Sequence, residues 1–147
     1  MIDFIIREFD ELSTGELYEM LQFRSAVFVV EQNCAYQDMD DKDQLCFHLL
    51  GYHQHKLVAY ARLIPEGVSY ENYCSIGRVA VSQSVRHQLY GKLLMSRAID
   101  FCKEKFSFYI KISAQAYLEK FYQDHGFITV SEPYLEDNIP HIAMVRK

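Results

Sequence analysis

Apolar positions along the chain change period several times, and each change marks an element. Residues 1–7 alternate loosely around Ile2, Phe4 and Ile6, the two-residue period of a strand. From Leu12 the spacing turns helical, through Leu17, Met20, Leu21, Arg24 and Phe28. Ser13 or Thr14 can cap this helix, and Glu16 stands where a capping box with Ser13 needs it. The helix runs on into Arg24-Ser25-Ala26-Val27-Phe28-Val29-Val30-Glu31-Gln32, an apolar run bracketed by polar residues. Two readings of that run stay open. It is a helix end packed on the core with solvated charges, or Glu31 and Gln32 line a substrate pocket.

Two apolar, aromatic runs follow, Leu45 to Tyr52 and Leu57 to Ile64, separated by His53-Gln54-His55-Lys56. That pattern predicts an antiparallel hairpin. Pro65 ends its second strand, because proline cannot donate to a ladder. His48 lies inside the first strand and reads as a satisfied core residue. Ile76 to Val81 is β-branched and predicts another strand. A polar turn, Ser82 to Gln88, leads into a helix to about Lys105, with Leu89, Leu93, Leu94, Ala98 and Phe101 on one face. Phe108 to Ser113 reads as a strand and Ala116 to His125 as a short helix stopped by Gly126. Phe127 to Val130 is a strand, Glu132 to Asn138 a polar loop, and Ile139 to Val145 a final strand. The order β-α-β-β-β-α-β-α-β-β predicts one mixed α/β (α+β) domain over residues 1–147.

Bulk properties narrow the field. With 147 residues the chain can bury a sizeable core, and its apolar half rules out disorder. The formal net charge of −5 argues against a dedicated nucleic-acid binder. No apolar run approaches the ~20 residues of a membrane helix. Met1-Ile2-Asp3-Phe4 lacks a signal-peptide run, which predicts a cytoplasmic chain with reduced thiols. Cys34, Cys46, Cys74 and Cys102 form no C-x-x-C pair, so no structural zinc, and no other metal, is expected. A calcium loop starting at Asp38 fails, since its sixth and twelfth places hold Asp43 and Leu49. The acidic segment around Asp38, Asp40, Asp41 and Asp43 is then a solvated loop or an acidic lip that attracts a cationic amine. Arg24, Arg62 and Arg78 sit in or beside apolar runs, where a buried guanidinium needs a partner. Each is paired with Glu31, Asp38 or Asp137, or binds an acidic part of a substrate.

The centre of the chain is the strand–turn–helix around residues 76–95. A strand that enters a helix through a basic, glycine-containing turn aims several backbone N–H groups one way, and such a helix start binds anions. Arg86, His87 and Lys92 supply positive charge there. No G-x-x-x-x-G-K-[ST] or full G-x-G-x-x-G is present, which disfavours a mononucleotide or dinucleotide fold.

This stretch resembles the acetyl-CoA-binding motif of the GNAT superfamily of N-acetyltransferases. Val81 is followed by Arg86-His87-Gln88-Leu89-Tyr90-Gly91, with Leu89 in the place of the first motif glycine and His87 where many members carry another. A second block, Gln115-Ala116 followed by Phe121-Tyr122 shortly before Gly126-Phe127, resembles the other GNAT signature, with Gln115 in the usual asparagine place. Val27 to Gln32, Tyr36-Gln37-Asp38, Gly77-Arg78-Val79, Ala114-Gln115 and Asp137-Asn138-Ile139-Pro140-His141 resemble the ElaA-like subgroup.

The resemblance implies a central, mostly antiparallel twisted sheet flanked by helices. It implies acetyl transfer from acetyl-CoA, as cosubstrate, to a primary amine of a small molecule or peptide, with direct attack in a ternary complex. The pyrophosphate would lie on the turn Arg86, His87, Gln88, Leu89, Tyr90, Gly91 and Lys92, with Gln115 alongside. A splayed strand at Val79, Ala80 and Val81 would offer amides to the thioester. Tyr122 matches the family's general acid, and a phenol with pKa near ~10 keeps its proton at neutral pH. The base is Glu31 or His141, with Asp137 behind His141. Arg24, Gln32, Arg62, Arg78 and Asp137 are candidate substrate contacts, and a homodimer fits the family. Leucine at position 89 is unstrained only if its φ stays negative. An acyl-CoA-binding regulatory module with a degraded site is the alternative function.

Overall fold

The computed structural model describes residues 1–106 and 109–147. Four strands, β1 (Asp3–Glu8), β2 (Phe47–His53), β3 (Lys56–Ile64) and β4 (Ser75–Val81), form an antiparallel sheet in that order. The β2–β3 turn places Gln54 and His55 at φ 51° and 64°, the left-handed pair of a type I′ hairpin. A second group, β5 (Ile110–Gln115), β6 (Ile128–Thr129), β7 (Tyr134–Glu136) and β8 (Ile139–Arg146), is built on β8, which pairs antiparallel with the other three. The expected start of the fifth strand at Phe108 lies outside the described residues.

The predicted polar loop from Glu132 to Asn138 instead contains β7, turned into β8 by Asp137 and Asn138 at φ 52° and 62°. Asp and Asn tolerate the left-handed region better than most residues because their short polar side chains can hydrogen-bond to nearby backbone. The two sheet groups meet at one bridge, Cys74 with Ile110, reinforced by Lys111 N–H donating to the Cys74 carbonyl. Beyond it β4 and β5 diverge.

Alternation sorts the core into two layers. Leu49, Ala59, Ala61 and Leu63 face helix α2 (Tyr90–Lys105), which buries Tyr90, Leu94, Met95, Ala98, Ile99 and Cys102. Leu89 and Leu93, expected on that face, are exposed, since the helix starts only after Leu89 and its apolar stripe runs one position on. Leu50, Leu57 and Tyr60 face the opposite way and pack with Met20, Leu17 and Leu21 of α1 (Thr14–Arg24). The Ser13/Glu16 capping box closes the start of α1, with the Glu16 N–H donating to Ser13 Oγ at 3.0 Å and the Ser13 N–H to Glu16 Oε1 at 2.9 Å. From Ser25 to Glu31 the helix widens to π geometry. Such turns are common at functional sites because they re-aim side chains. Helix α3 (Glu119–Gln123) follows β5 after one 3₁₀ turn, and Gly126 at φ 90° ends it.

Candidate active site

The gap between β4 and β5 opens into a cavity of about 550 Å³. β4 supplies Gly77 to Val81 and β5 supplies Ser113 and Gln115. The π-helical segment contributes Val27, Phe28 and Glu31, and the β7–β8 hairpin contributes Glu136, Asp137 and His141. α3 adds Phe121 and Tyr122. Of the central turn, Arg86 and Gly91 reach the cavity. His87, Gln88, Leu89 and Lys92 turn their side chains to solvent, because a 3₁₀ turn over Gln83–Gln88 swings them outward. Tyr90 is buried on the far side, its hydroxyl 3.1 Å from His53 Nδ1. If those five residues bind a ligand in this cavity, they do so through the main chain. The first amide to bond back into α2 is that of Leu93, to the Leu89 carbonyl, so the amides before it lie at the open helix start.

Leu89 caps this helix at φ 61°, the left-handed conformation that disfavours leucine by roughly 1–2 kcal/mol. Arg86 donates from Nε to the Val81 carbonyl at 2.9 Å and from Nη2 to Glu31 Oε1 at 2.9 Å, and its Nη1 lies 2.6 Å from Glu31 Oε2. Glu31 therefore has both carboxylate oxygens engaged.

Tyr122 is buried, with Phe121 and Phe127 edge-on to its ring. Its hydroxyl has no hydrogen-bond partner among the described residues. Burial pushes the phenol well above its ordinary range, with a smaller contribution from Tyr117, so it remains a proton donor at neutral pH. His141 is buried, and its Nδ1 lies 2.6 Å from the Ile139 carbonyl. A carbonyl can only accept, so Nδ1 carries the hydrogen. Nε2 is 3.5 Å from Glu136 Oε2, and Glu136 also accepts from Ser113 Oγ at 3.2 Å.

Of the three arginines expected to need partners, Arg24 and Arg78 find one of those named, Asp38, while Arg62 finds Asp40 and Asp43 instead. Arg24 donates from Nε to Asp38 Oδ2 at 2.9 Å and from Nη1 to Asp43 Oδ1 at 2.8 Å. Arg62 holds Asp40 with two bonds of 2.8 Å and reaches Asp43 at 3.0 Å. Arg78 donates from Nε to Asp38 Oδ1 at 2.8 Å and approaches Asp40 at 3.5 Å. Arg24 and Arg62 are thus structural and do not line the cavity, which corrects their reading as substrate contacts. Neither Glu31 nor Asp137 pairs with these arginines; Asp38, Asp40 and Asp43 do, so their loop is no acidic lip. Hydrogen bonds and charge from Arg62 outweigh the upward effect of burial on Asp40 and bring its carboxyl down to about 2. His48 lies against this group as a satisfied core residue, as expected. Its Nε2 donates to the Asp43 carbonyl and its Nδ1 accepts from Tyr60.

Sequence reasoning missed Tyr36, Ser113, Tyr117, Phe121 and Glu136 as cavity residues. Tyr36 and Phe121 stood inside stretches that carried the family resemblance. Glu136 could have been found from Asp137-Asn138 as a hairpin turn.

A cleft between diverging strands, closed at one end by a helix start and lined by a buried tyrosine, defines an acyltransferase of the GNAT class. The chain belongs to that family, and the protein is an acyltransferase: the family model described as an acetyltransferase (GNAT) domain matches residues 14–147. The chain is similar to protein ElaA of Escherichia coli strain K12, at 45% identity over 150 residues, covering 100% of this chain and 97% of the relative. The crystal structure of E. coli ElaA superposes with a TM-score of 0.93 and full coverage of both chains at 43% identity. An acyl-CoA N-acyltransferase from Pseudomonas aeruginosa superposes at 0.90, with 40% identity and 99% of each chain covered.

Proposed function

We propose that this enzyme transfers the acetyl group of acetyl-CoA to a primary amine by direct attack within a ternary complex. The observation that carries the reading is Tyr122, a buried phenol with no partner, lining a cleft between two diverging strands. In this reading the amine nitrogen attacks the thioester carbonyl while the β4 edge donates to the developing oxyanion. The carbon–sulfur bond then breaks, and Tyr122 gives its proton to the leaving thiolate. His141 is better supported than Glu31 as the base that takes the amine proton. His141 lines the cavity with no arginine or lysine bound to its ring among the described residues, whereas Glu31, also on the wall, has both carboxylate oxygens held by Arg86. Gln32 lies on the wall on the α1 side, and Glu136 and Asp137 give the hairpin side an acidic character that favours a cationic acceptor.

The cofactor is tested by thermal unfolding with acetyl-CoA, CoA, ATP and NAD. At roughly 100-fold excess over Kd, binding adds about 2.7 kcal/mol, a rise of several degrees. Gly91→Trp abolishes the shift, because a β-carbon there already meets Phe121 at 3.7 Å and an indole would fill the cleft. The left-handed Leu89 keeps a second reading, an acyl-CoA-binding module without turnover, in view. Binding with no transfer to any amine in a broad panel would select it.

A further inference from the structure

The charged group beneath the sheet closes on itself. Asp38 joins Arg24 to Arg78, Asp40 joins Arg78 to Arg62, and Asp43 joins Arg62 back to Arg24. Three guanidinium groups and three carboxylates alternate around a ring with zero net charge. Tyr36 covers one side, its ring 5.7 Å from the Arg78 guanidinium and its hydroxyl donating to Asp38 Oδ1 at 3.1 Å.

Arg78 differs from the other two arginines because it also lines the cavity. Tyr60 pairs with Ala80, and Arg62 with Gly77. Ala61 therefore faces two residues of β4, Arg78 and Val79, which is a β-bulge. Arg78 takes φ 50° within it. A non-glycine residue in that conformation persists only where its surroundings over-determine it. Here the surroundings are the ring. Moving the Arg78 backbone to negative φ would re-aim its side chain and break its contacts with Asp38 at 2.8 Å and with the Asp38 carbonyl at 2.9 Å.

We infer that the arginine–aspartate ring is a positioning device for acyl transfer. By anchoring the Arg78 side chain it holds the β4 bulge in the left-handed form, and so aims the neighbouring β4 amides at the thioester carbonyl. Arg78 and Asp38 are positioning residues, acting through the Val79–Val81 backbone. This inference rests on acetyl-CoA being the donor.

The test compares Arg78→Ala, Arg78→Gly and Asp38→Asn. Glycine adopts positive φ without an anchor and alanine does not. Circular dichroism first establishes that each variant folds, and calorimetry measures acetyl-CoA binding. Difference infrared spectra with acetyl-CoA labelled at the carbonyl carbon then read hydrogen bonding to the thioester. The wild type shows a carbonyl band shifted from its position in water. Arg78→Ala and Asp38→Asn lose that shift and about 10-fold in kcat with KM for acetyl-CoA nearly unchanged, while Arg78→Gly keeps more of the shift than Arg78→Ala. A folded Arg78→Ala with the wild-type band overturns the inference, as does Arg78→Gly behaving like Arg78→Ala. A wild type that does not bind acetyl-CoA overturns the functional reading instead, and calorimetry separates the two.

Discussion

The charged ring and the cleft meet at β4 and share Arg78, yet they handle polarity in opposite ways. In the ring every carboxylate touches two arginines, although the one fully buried side-chain atom without a partner among the described residues, Arg62 Nε, also lies there. In the cleft the Tyr122 hydroxyl has no partner, and neither Glu136 nor Asp137 pairs with an arginine or lysine among the described residues. A charge placed in an apolar run is therefore not itself a mark of function. Buried charges whose counter-charges are all supplied by the chain build structure. A polar group left unpaired on a cavity wall is where a substrate can supply what is missing.

The comparison breaks most sharply at Arg24. Arg24→Met keeps apolar bulk but leaves Asp38 and Asp43 buried with one arginine each. Loss of one partner in a buried ion network costs about 3–5 kcal/mol. For a chain of this size that is a fall in Tm on the order of 10 °C, read by calorimetry. A fall of less than 2 °C would mean the ring is dispensable to the fold.

Tyr122→Phe is the matching change in the cleft. It removes no protein hydrogen bond among the described residues, so Tm should move by less than ~2 °C. Turnover should fall about 100-fold, the loss of one general acid, at unchanged acetyl-CoA affinity. Equal kcat in the two proteins at every pH would remove Tyr122 from the acid role.

Acid should act on the ring and its neighbour His48 in two stages. His48 is held below its ordinary 6.5 by burial, so the fold keeps it neutral while the unfolded chain binds a proton. Stability therefore begins to decline as pH falls through about 6.5. Asp40 is depressed to about 2 from 3.8, so its contribution is intact above about 4 and is lost as pH falls toward 2. Asp43 is lowered as well and acts in the same direction. Urea titrations from pH 7 to 2 should show this two-stage loss. In Asp40→Asn the lower stage should shrink.

The smallest effect is expected at Leu89. Its side chain is exposed and its φ is 61°, so Leu89→Gly relieves strain with little packing lost. The gain is limited to about 0.5–1 kcal/mol because glycine also loosens the unfolded chain. A destabilised variant would show that the left-handed turn is not strained.

Much of the fold could be read from period alone. The Ser13/Glu16 box, the β2–β3 hairpin and the Gly126 stop are local patterns with local causes, and all three are present. β7 escaped because its three residues are all exposed and carry no alternation. The cavity lining was legible where motif and backbone coincide, at Val79–Val81, Arg86, Gly91 and Tyr122. It was not legible at Glu136, and although Arg78 was expected there, arginine carries no signal for the positive φ it adopts. The arginines could be read as needing partners. Which aspartates answered depended on how a loop folds over the sheet.

By itself the sequence determined the order and type of the elements other than β7, the family, and the presence of a tyrosine before Gly126-Phe127. These follow from periodicity, capping and motif spacing, which act over a few residues. The tertiary structure decided that β4 and β5 diverge after one bridge and that Arg78 sits left-handed in a bulge. It also closed three arginines and three aspartates into a ring and tied Glu31 to Arg86. Those outcomes join residues up to 55 positions apart, as Glu31 and Arg86 are. Pairing and desolvation at such separations are settled only when the whole chain has packed, and no local pattern encodes them.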